Sequence, residues 1–269
     1  MTRTFLAVIG ALILLPAQRA PAADPPAEVA PPAAPAKAAD PAKPAEQAAR
    51  DVIVAPVEGG YEIEFDVTET PELKEWVKTR LQPACVKWYP IIVKMLPSEG
   101  YEAPKKVPVI FRRNGRGVAA ASGSRVFCDY PWFSKNLDGE AAGAVVHELV
   151  HVVQQYGRAR RTEGDAPRRP RNPGWLVEGV ADWIRWFNYE PENLRPHPNP
   201  QRAKHTDSYR TTAHFLNYVT VKYDKELVKK LNAVMREGKD DEAFWKQDTG
   251  KTLEELGAEW KETLGKKSE

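Results

Sequence analysis

His147-Glu148-Leu149-Val150-His151 sets two imidazoles four residues apart inside an apolar run, with Ala141-Ala142-Gly143-Ala144-Val145-Val146 before it and Val152-Val153 after it. Residues i and i+4 of a helix project from one face about a turn apart, so both rings can reach one metal ion. Glu148 lies about a quarter turn round, where it can hold a metal-activated water without being a ligand. Apolar residues occur all round the run, the pattern of a helix buried on most sides. Burying two imidazoles and a carboxylate without partners costs on the order of several kcal/mol, a penalty that a bound metal removes. The chemistry implied is hydrolysis assisted by Zn2+. The competing description is a pair of surface histidines on an amphipathic helix.

A catalytic zinc needs a third protein ligand and an open position for water. The extended pattern His-Glu-x-x-His-x-x-Gly-x-x-His would require glycine at 154 and histidine at 157, where the chain has Gln154 and Gly157. The ligand is therefore sought downstream, in Asn172-Pro173-Gly174-Trp175-Leu176-Val177-Glu178-Gly179-Val180-Ala181-Asp182-Trp183. Asn172 suits an N-cap and Pro173 a first helical residue. In the helix that follows, Glu178 and Asp182 share a face in apolar surroundings, which raises the same burial problem. The two problems solve each other if Glu178 ligates the zinc and Asp182 accepts the N–H of a ligand histidine. A helix cap or a surface pair is the plainer reading of these acids.

His147-Glu148-x-x-His151 followed by Glu178-x-x-x-Asp182 resembles the gluzincin arrangement of thermolysin-like peptidases. That likeness implies two histidines and Glu178 as zinc ligands, Glu148 as general base and Asp182 as the acid behind a ligand. The blocks Val146 to Gln154 and Trp175 to Arg185 resemble, more closely still, the plant and bacterial basic secretory protein family of metallopeptidases. So do Ser208-Tyr209 with Thr212-Ala213-x-Phe215-Leu216, and Gly117-Val118-Ala119 ahead of the strand at 124–130. The resemblance covers about residues 60 to 235 and implies a zincin-like fold acting on protein or peptide substrates. An Arg-rich link at 158–172 and a near-zero net charge depart from the family pattern. Partly from this resemblance, Tyr209 is the candidate donor to the oxyanion, near the start of a helix capped by Thr206 or Asp207. His205 and His214 are its rivals, and a core role for the tyrosine is the alternative. By analogy with zincins, the strand at 124–130 would be the edge to which substrate backbone adds.

The elements that must hold these groups follow from periodicity. Tyr61 to Val67 alternates as a half-exposed strand, and Lys106 to Arg112 and Ser124 to Tyr130 read as two more. Glu72 to Met95 has helical spacing, with Pro83 a kink or break. Helical patterns then run at 139–156, 174–188, 207–223, 225–236, 240–248 and 252–263. Strands first and helices afterwards predict an α+β domain, a small N-terminal sheet followed by a mainly helical part, over residues 52–265.

Residues 1–23 place Arg3 ahead of an apolar stretch, Phe5 to Leu15, and then Ala20-Pro21-Ala22, as in a secretory signal peptide. The apolar stretch is too short for a membrane span. Residues 24–50 are dominated by Ala and Pro and read as a disordered tether. The expected location is secreted or periplasmic, where Cys85 and Cys128 could pair or stay free. The chain of 269 residues has a formal charge of +2, and losing Arg3 and Arg19 brings it near zero. Six arginines between 158 and 172, against Glu163 and Asp165, could meet an anionic polymer or a membrane, or form a solvated loop. No aromatic residues interleave with them for base stacking, so no specific nucleic-acid partner is expected. Two further functions compete with a peptidase: a non-catalytic cell-wall or anionic-polymer binding protein on a zincin scaffold, and a zinc hydrolase of non-peptide amides.

Overall fold

The computed structural model describes residues 49–156, 172–239 and 241–265. The leader, all but the end of the tether, and the arginines of the 158–172 stretch lie outside the described residues. Five strands form one mixed sheet: β1 (Val52–Val57), β2 (Tyr61–Asp66), β3 (Lys106–Arg112), β4 (Ala119–Ser122) and β5 (Arg125–Asp129), in the order β1-β2-β3-β5-β4. The β1–β2 and β4–β5 pairs are antiparallel, and the β2–β3 and β3–β5 pairs are parallel. Helices follow as α1 (Lys74–Trp76), α2 (Gln82–Met95), α3 (Tyr130–Asn136), α4 (Ala141–Gln154), α5 (Gly174–Ile184), α6 (Tyr209–Lys222), α7 (Leu227–Glu237), α8 (Asp241–Thr249) and α9 (Leu253–Leu264).

Strand alternation turns one face of the sheet inward. Ala55, Val57, Ile63, Phe65, Val107, Val109, Phe111, Val126 and Cys128 are all buried. The opposite face carries charge, with Lys106 Nζ 2.7 Å from Glu64 and 3.2 Å from Glu62. Helices α2 and α4 pack on the sheet, α2 against β1 and β2 and α4 against β4 and β5. This is a mixed α/β architecture with a five-stranded sheet, and the strands indeed precede most of the helices.

Two strands escape the periodicity. β1 contains Pro56, which a strand tolerates at a sheet edge, where β1 lies. β4 is Ala-Ala-Ala-Ser, with no β-branched or aromatic residue to mark it. Its presence changes the expected substrate edge: β5 is internal, between β3 and β4, and β4 forms the rim. The Gly123-Ser124 turn closes the β4–β5 hairpin at Ser122 opposite Arg125, and Asp129 N–H donates to the Val118 carbonyl at 2.9 Å. In an antiparallel ladder alternate residues bond the partner, so the N–H and C=O of Ala119 and Ala121 face away from β5.

Pro83 does not break its helix. The backbone stays helical from Lys74 to Met95, passing through a π-helical turn at Val77–Leu81 just ahead of the proline. The two cysteines are free thiols, both buried in the core, and burial raises the pKa of each.

Helices α5 and α6 touch through Gly179. A Cβ there would sit 2.2 Å from Thr212 Cγ2 and 2.8 Å from its Cβ. Thr212 cannot swing clear, since it is fully buried and its hydroxyl donates to the His205 carbonyl at 2.7 Å. Gly179→Ala should therefore lower stability by about 1–3 kcal/mol through overpacking. A urea midpoint unchanged by the substitution would contradict this close packing.

Candidate metal centre

Helix α4 is buried along nearly its whole length, His147 and Glu148 included, because its apolar residues face the sheet, α2 and α5 at once. Its end is defined from outside. Gln155 takes a left-handed φ of 37°, and the side chains of Arg236 and Tyr101 donate to the Val153 carbonyl that α4 itself leaves unpaired. Arg236 Nε also reaches the Gln154 carbonyl, at 3.3 Å. α5 begins at Gly174 without a side-chain cap. Asn172, expected as that cap, donates instead to the Met235 carbonyl at 2.9 Å, and Pro173 stands one position ahead of the first helical residue.

The two helices bring three of the expected residues together. His147 Nε2 lies 3.1 Å from His151 Nε2 and 3.2 Å from Glu178 Oε2, and His151 Nε2 lies 3.3 Å from the same carboxylate oxygen. Among the described residues, His147, His151 and Glu178 form the group whose spacing could hold a metal ion. The far side of each ring is also engaged. His147 Nδ1 is 2.7 Å from Asp182 Oδ1, and His151 Nδ1 is 2.7 Å from Gln154 Oε1. A carboxylate and an amide oxygen can only accept, so both Nδ1 atoms carry the proton and both Nε2 atoms of the neutral rings present lone pairs.

Three acceptors then converge on one point. Ligands held at about 2.0–2.1 Å in a tetrahedral array would stand about 3.3 Å apart, close to the three separations found. The donor set fits a tetrahedral divalent ion. In the metal-free protein a proton serves instead. Burial opposes a charge on His147, but the hydrogen bonds to Asp182 and Glu178 outweigh it and raise its pKa to about 9. Burial likewise works against the Glu178 carboxylate, while both histidines hold its pKa down at about 2.

The cluster opens into a cleft of about 1350 Å³. Ala119, Ala120 and Ala121 of β4 line it, as do Glu148 and the segment Ser208-Tyr209-Arg210. Ser208 and Tyr209 have φ of 70° and 45°, a strained start to α6 for two non-glycine residues. Neither Thr206 nor Asp207 caps that helix. Ser208 is the boundary residue without a capping bond, and Asp207 accepts from the Lys204 N–H. The Tyr209 ring is 54% exposed and lies 6.3 Å from the His147 ring, inclined by 21°. Its pKa is raised by the Glu178 charge first and by burial second. The two rival histidines are used in packing elsewhere. The His205 ring fills the space beside Gly257, and His214 Nδ1 accepts the Trp260 N–H at 2.9 Å. Sequence reasoning missed Gln154, although its position three residues after His151 puts it on the ligand face.

Fold and site together define a mixed α/β protein whose cleft carries a His-His-Glu donor set. The chain belongs to the BSP family, described as a peptidase of plants and bacteria, whose family model matches residues 97–261. Among solved structures it is similar to a mutant two-domain M1 zinc metallopeptidase bound to L-arginine, at 12% identity and a TM-score of 0.42. That similarity covers 80% of this chain and 50% of the other, so this chain spans about half the length of that structure. No curated protein matches the sequence.

The protonated cluster predicts a pH dependence for protein stripped of metal by chelator. The pKa of His147 is raised on folding from 6.5 to about 9, so its contribution is complete below pH 6.5 and lost as pH climbs through 9. Glu178 falls from 4.5 to about 2, so its contribution is present above pH 4.5 and lost as pH drops through 2. Stability from this cluster should be greatest between those limits. Urea unfolding of metal-free wild type and His147→Gln from pH 6 to 9 checks it, and parallel curves for the two would remove His147 as the source.

Proposed function

We propose that the protein is an exported zinc-dependent peptidase on a zincin-like α+β fold. The observation that carries the reading is the convergence of two imidazole Nε2 atoms and a carboxylate oxygen in a cleft, in a chain whose family is described as a peptidase. His147, His151 and Glu178 would hold Zn2+, and Asp182 would orient His147. Two histidines and one glutamate are a ligand set of catalytic zinc that leaves a position open for water. Export rests on the leader pattern of residues 1–23.

Zinc, when bound, supplies Lewis acidity that polarises the scissile carbonyl and acidifies water. Glu148 takes the proton from the attacking water on its carboxylate and delivers it to the leaving amine nitrogen. The Tyr209 hydroxyl, at the mouth of the cleft, donates to the oxyanion of the tetrahedral intermediate. The protein substrate lies extended along β4 and bonds to the outward N–H and C=O of Ala119 and Ala121, with alanine side chains leaving room for its own.

Glu148→Gln should retain zinc and lose turnover of a peptide substrate by about 10²- to 10⁴-fold, the range for a positioned proton-transfer group. Glu178→Ala should instead release zinc, seen as a metal content well below one per chain after dialysis. Undiminished turnover by Glu148→Gln would refute the assigned base. Tyr209→Phe should lower kcat more than it changes KM, as expected of a bond made mainly in the transition state. An equal kcat with a raised KM would make Tyr209 a binding residue only.

A further inference from the structure

We propose that Gln154 is a positioning residue of the metal centre, locking the His151 ring and tying the two ligand-bearing helices together. The inference rests on the zinc reading above. Gln154 is 2% exposed, at the last position of α4. Its Oε1 accepts from His151 Nδ1 at 2.7 Å, and its Nε2 donates to the Val177 carbonyl at 3.0 Å. Val177 is the residue immediately before Glu178. One side chain therefore touches the second histidine of α4 and the backbone that carries the carboxylate of α5.

The chemistry of the two bonds requires an amide. A backbone carbonyl can only accept, which fixes the Nε2 end of Gln154 toward Val177 and leaves Oε1 for the histidine. The amide orientation and the His151 tautomer are thus set by one another. An imidazole free to turn about its Cβ–Cγ bond would carry Nε2 off the shared point, and ligand orientation of this kind governs metal affinity. The residue is braced from behind, since Arg236 holds the carbonyls of both Val153 and Gln154. His147 is held differently, by the Asp182 carboxylate on α5 itself. Each histidine of α4 is therefore oriented by a group that is on α5 or bonded to it.

Two variants separate the bonds. Gln154→Met keeps the size and removes both; Gln154→Glu keeps the acceptor for His151 and loses the donor to Val177. Chelator-stripped full-length protein is titrated with Co2+, whose visible bands report coordination geometry, and Zn2+ affinity is then measured by competition. Gln154→Met should bind about 10- to 100-fold more weakly, with shifted Co2+ bands. Gln154→Glu should recover the wild-type bands and most of the affinity, yet unfold at lower urea than wild type. Wild-type bands and affinity in Gln154→Met would overturn the proposal, as would a Gln154→Glu protein as weak as Gln154→Met. Wild type that takes up neither ion would sink the zinc reading itself, a failure visible before any variant is compared.

Discussion

Two N–H bonds on the far sides of two rings decide what this cleft can do. With Nδ1 of His147 committed to Asp182 and Nδ1 of His151 to Gln154, both Nε2 lone pairs point at the Glu178 carboxylate. Three acceptors about 3 Å apart repel one another unless something positive stands between them. A proton on His147 answers this in part, held there against burial by the Asp182 and Glu178 carboxylates. A divalent cation answers it fully, because it takes all three lone pairs at once. Metal affinity and folding are then coupled, since the repulsion that binding relieves is a cost the fold has already met.

The rest of the described structure keeps that arrangement from relaxing. A carboxylate on a mobile loop would swing away from the rings, but Glu178 lies mid-helix and α5 is pressed onto α6 where Gly179 meets Thr212. α4 cannot slide along its axis, because Arg236 and Tyr101 grip its last carbonyls. The Arg236 guanidinium also reaches the Leu96 carbonyl at the end of α2 and the Ser98 hydroxyl, so one buried cation fastens the ends of two helices. The sheet supplies the floor under both. The His147–His151 pair is local to α4, but the arrival of Glu178 beside it is a property of packing between α4, α5, α6 and α7.

The residues of the candidate metal centre were legible because chemistry and burial conflict visibly in one dimension. Charged and titratable residues at i and i+4 within apolar helical runs are anomalous unless they meet, and His147, His151, Glu178 and Asp182 do meet. The helices were legible for the same reason, since their 3.6-residue period continues through the motifs. What was not legible depends on contacts between distant residues. β4 is a strand because β5 pairs with it and not because alanine favours strands, so its role as the rim was assigned to its neighbour. Asn172 has the right chemistry for a cap, but the Met235 carbonyl, 63 residues on, competes for it. Gln154 carried a weak signal, a polar residue on the ligand face of an apolar helix. Its partner at Val177 is a backbone carbonyl and leaves no trace in sequence.

The position of β4 also bears on the kind of substrate the cleft admits. An edge strand offers its outward N–H and C=O groups in a straight row, and only an extended backbone can use several of them together. A folded surface or a compact small molecule would meet at most one or two. The β4 side chains at this rim are methyl groups, which discriminate little by shape, so on the proposed reading a bound peptide draws on main-chain hydrogen bonds there. Across the cleft, Tyr209 stands at the strained start of α6, with Ser208 also at positive φ. Backbone strain of this kind persists only where the surroundings enforce it. Here it stands at the start of the helix whose Thr212 packs on Gly179 of α5, the residue next to Glu178. Tyr209, three residues before Thr212, and Glu178, next to Gly179, thus flank one packing contact, and loosening it would disturb both together.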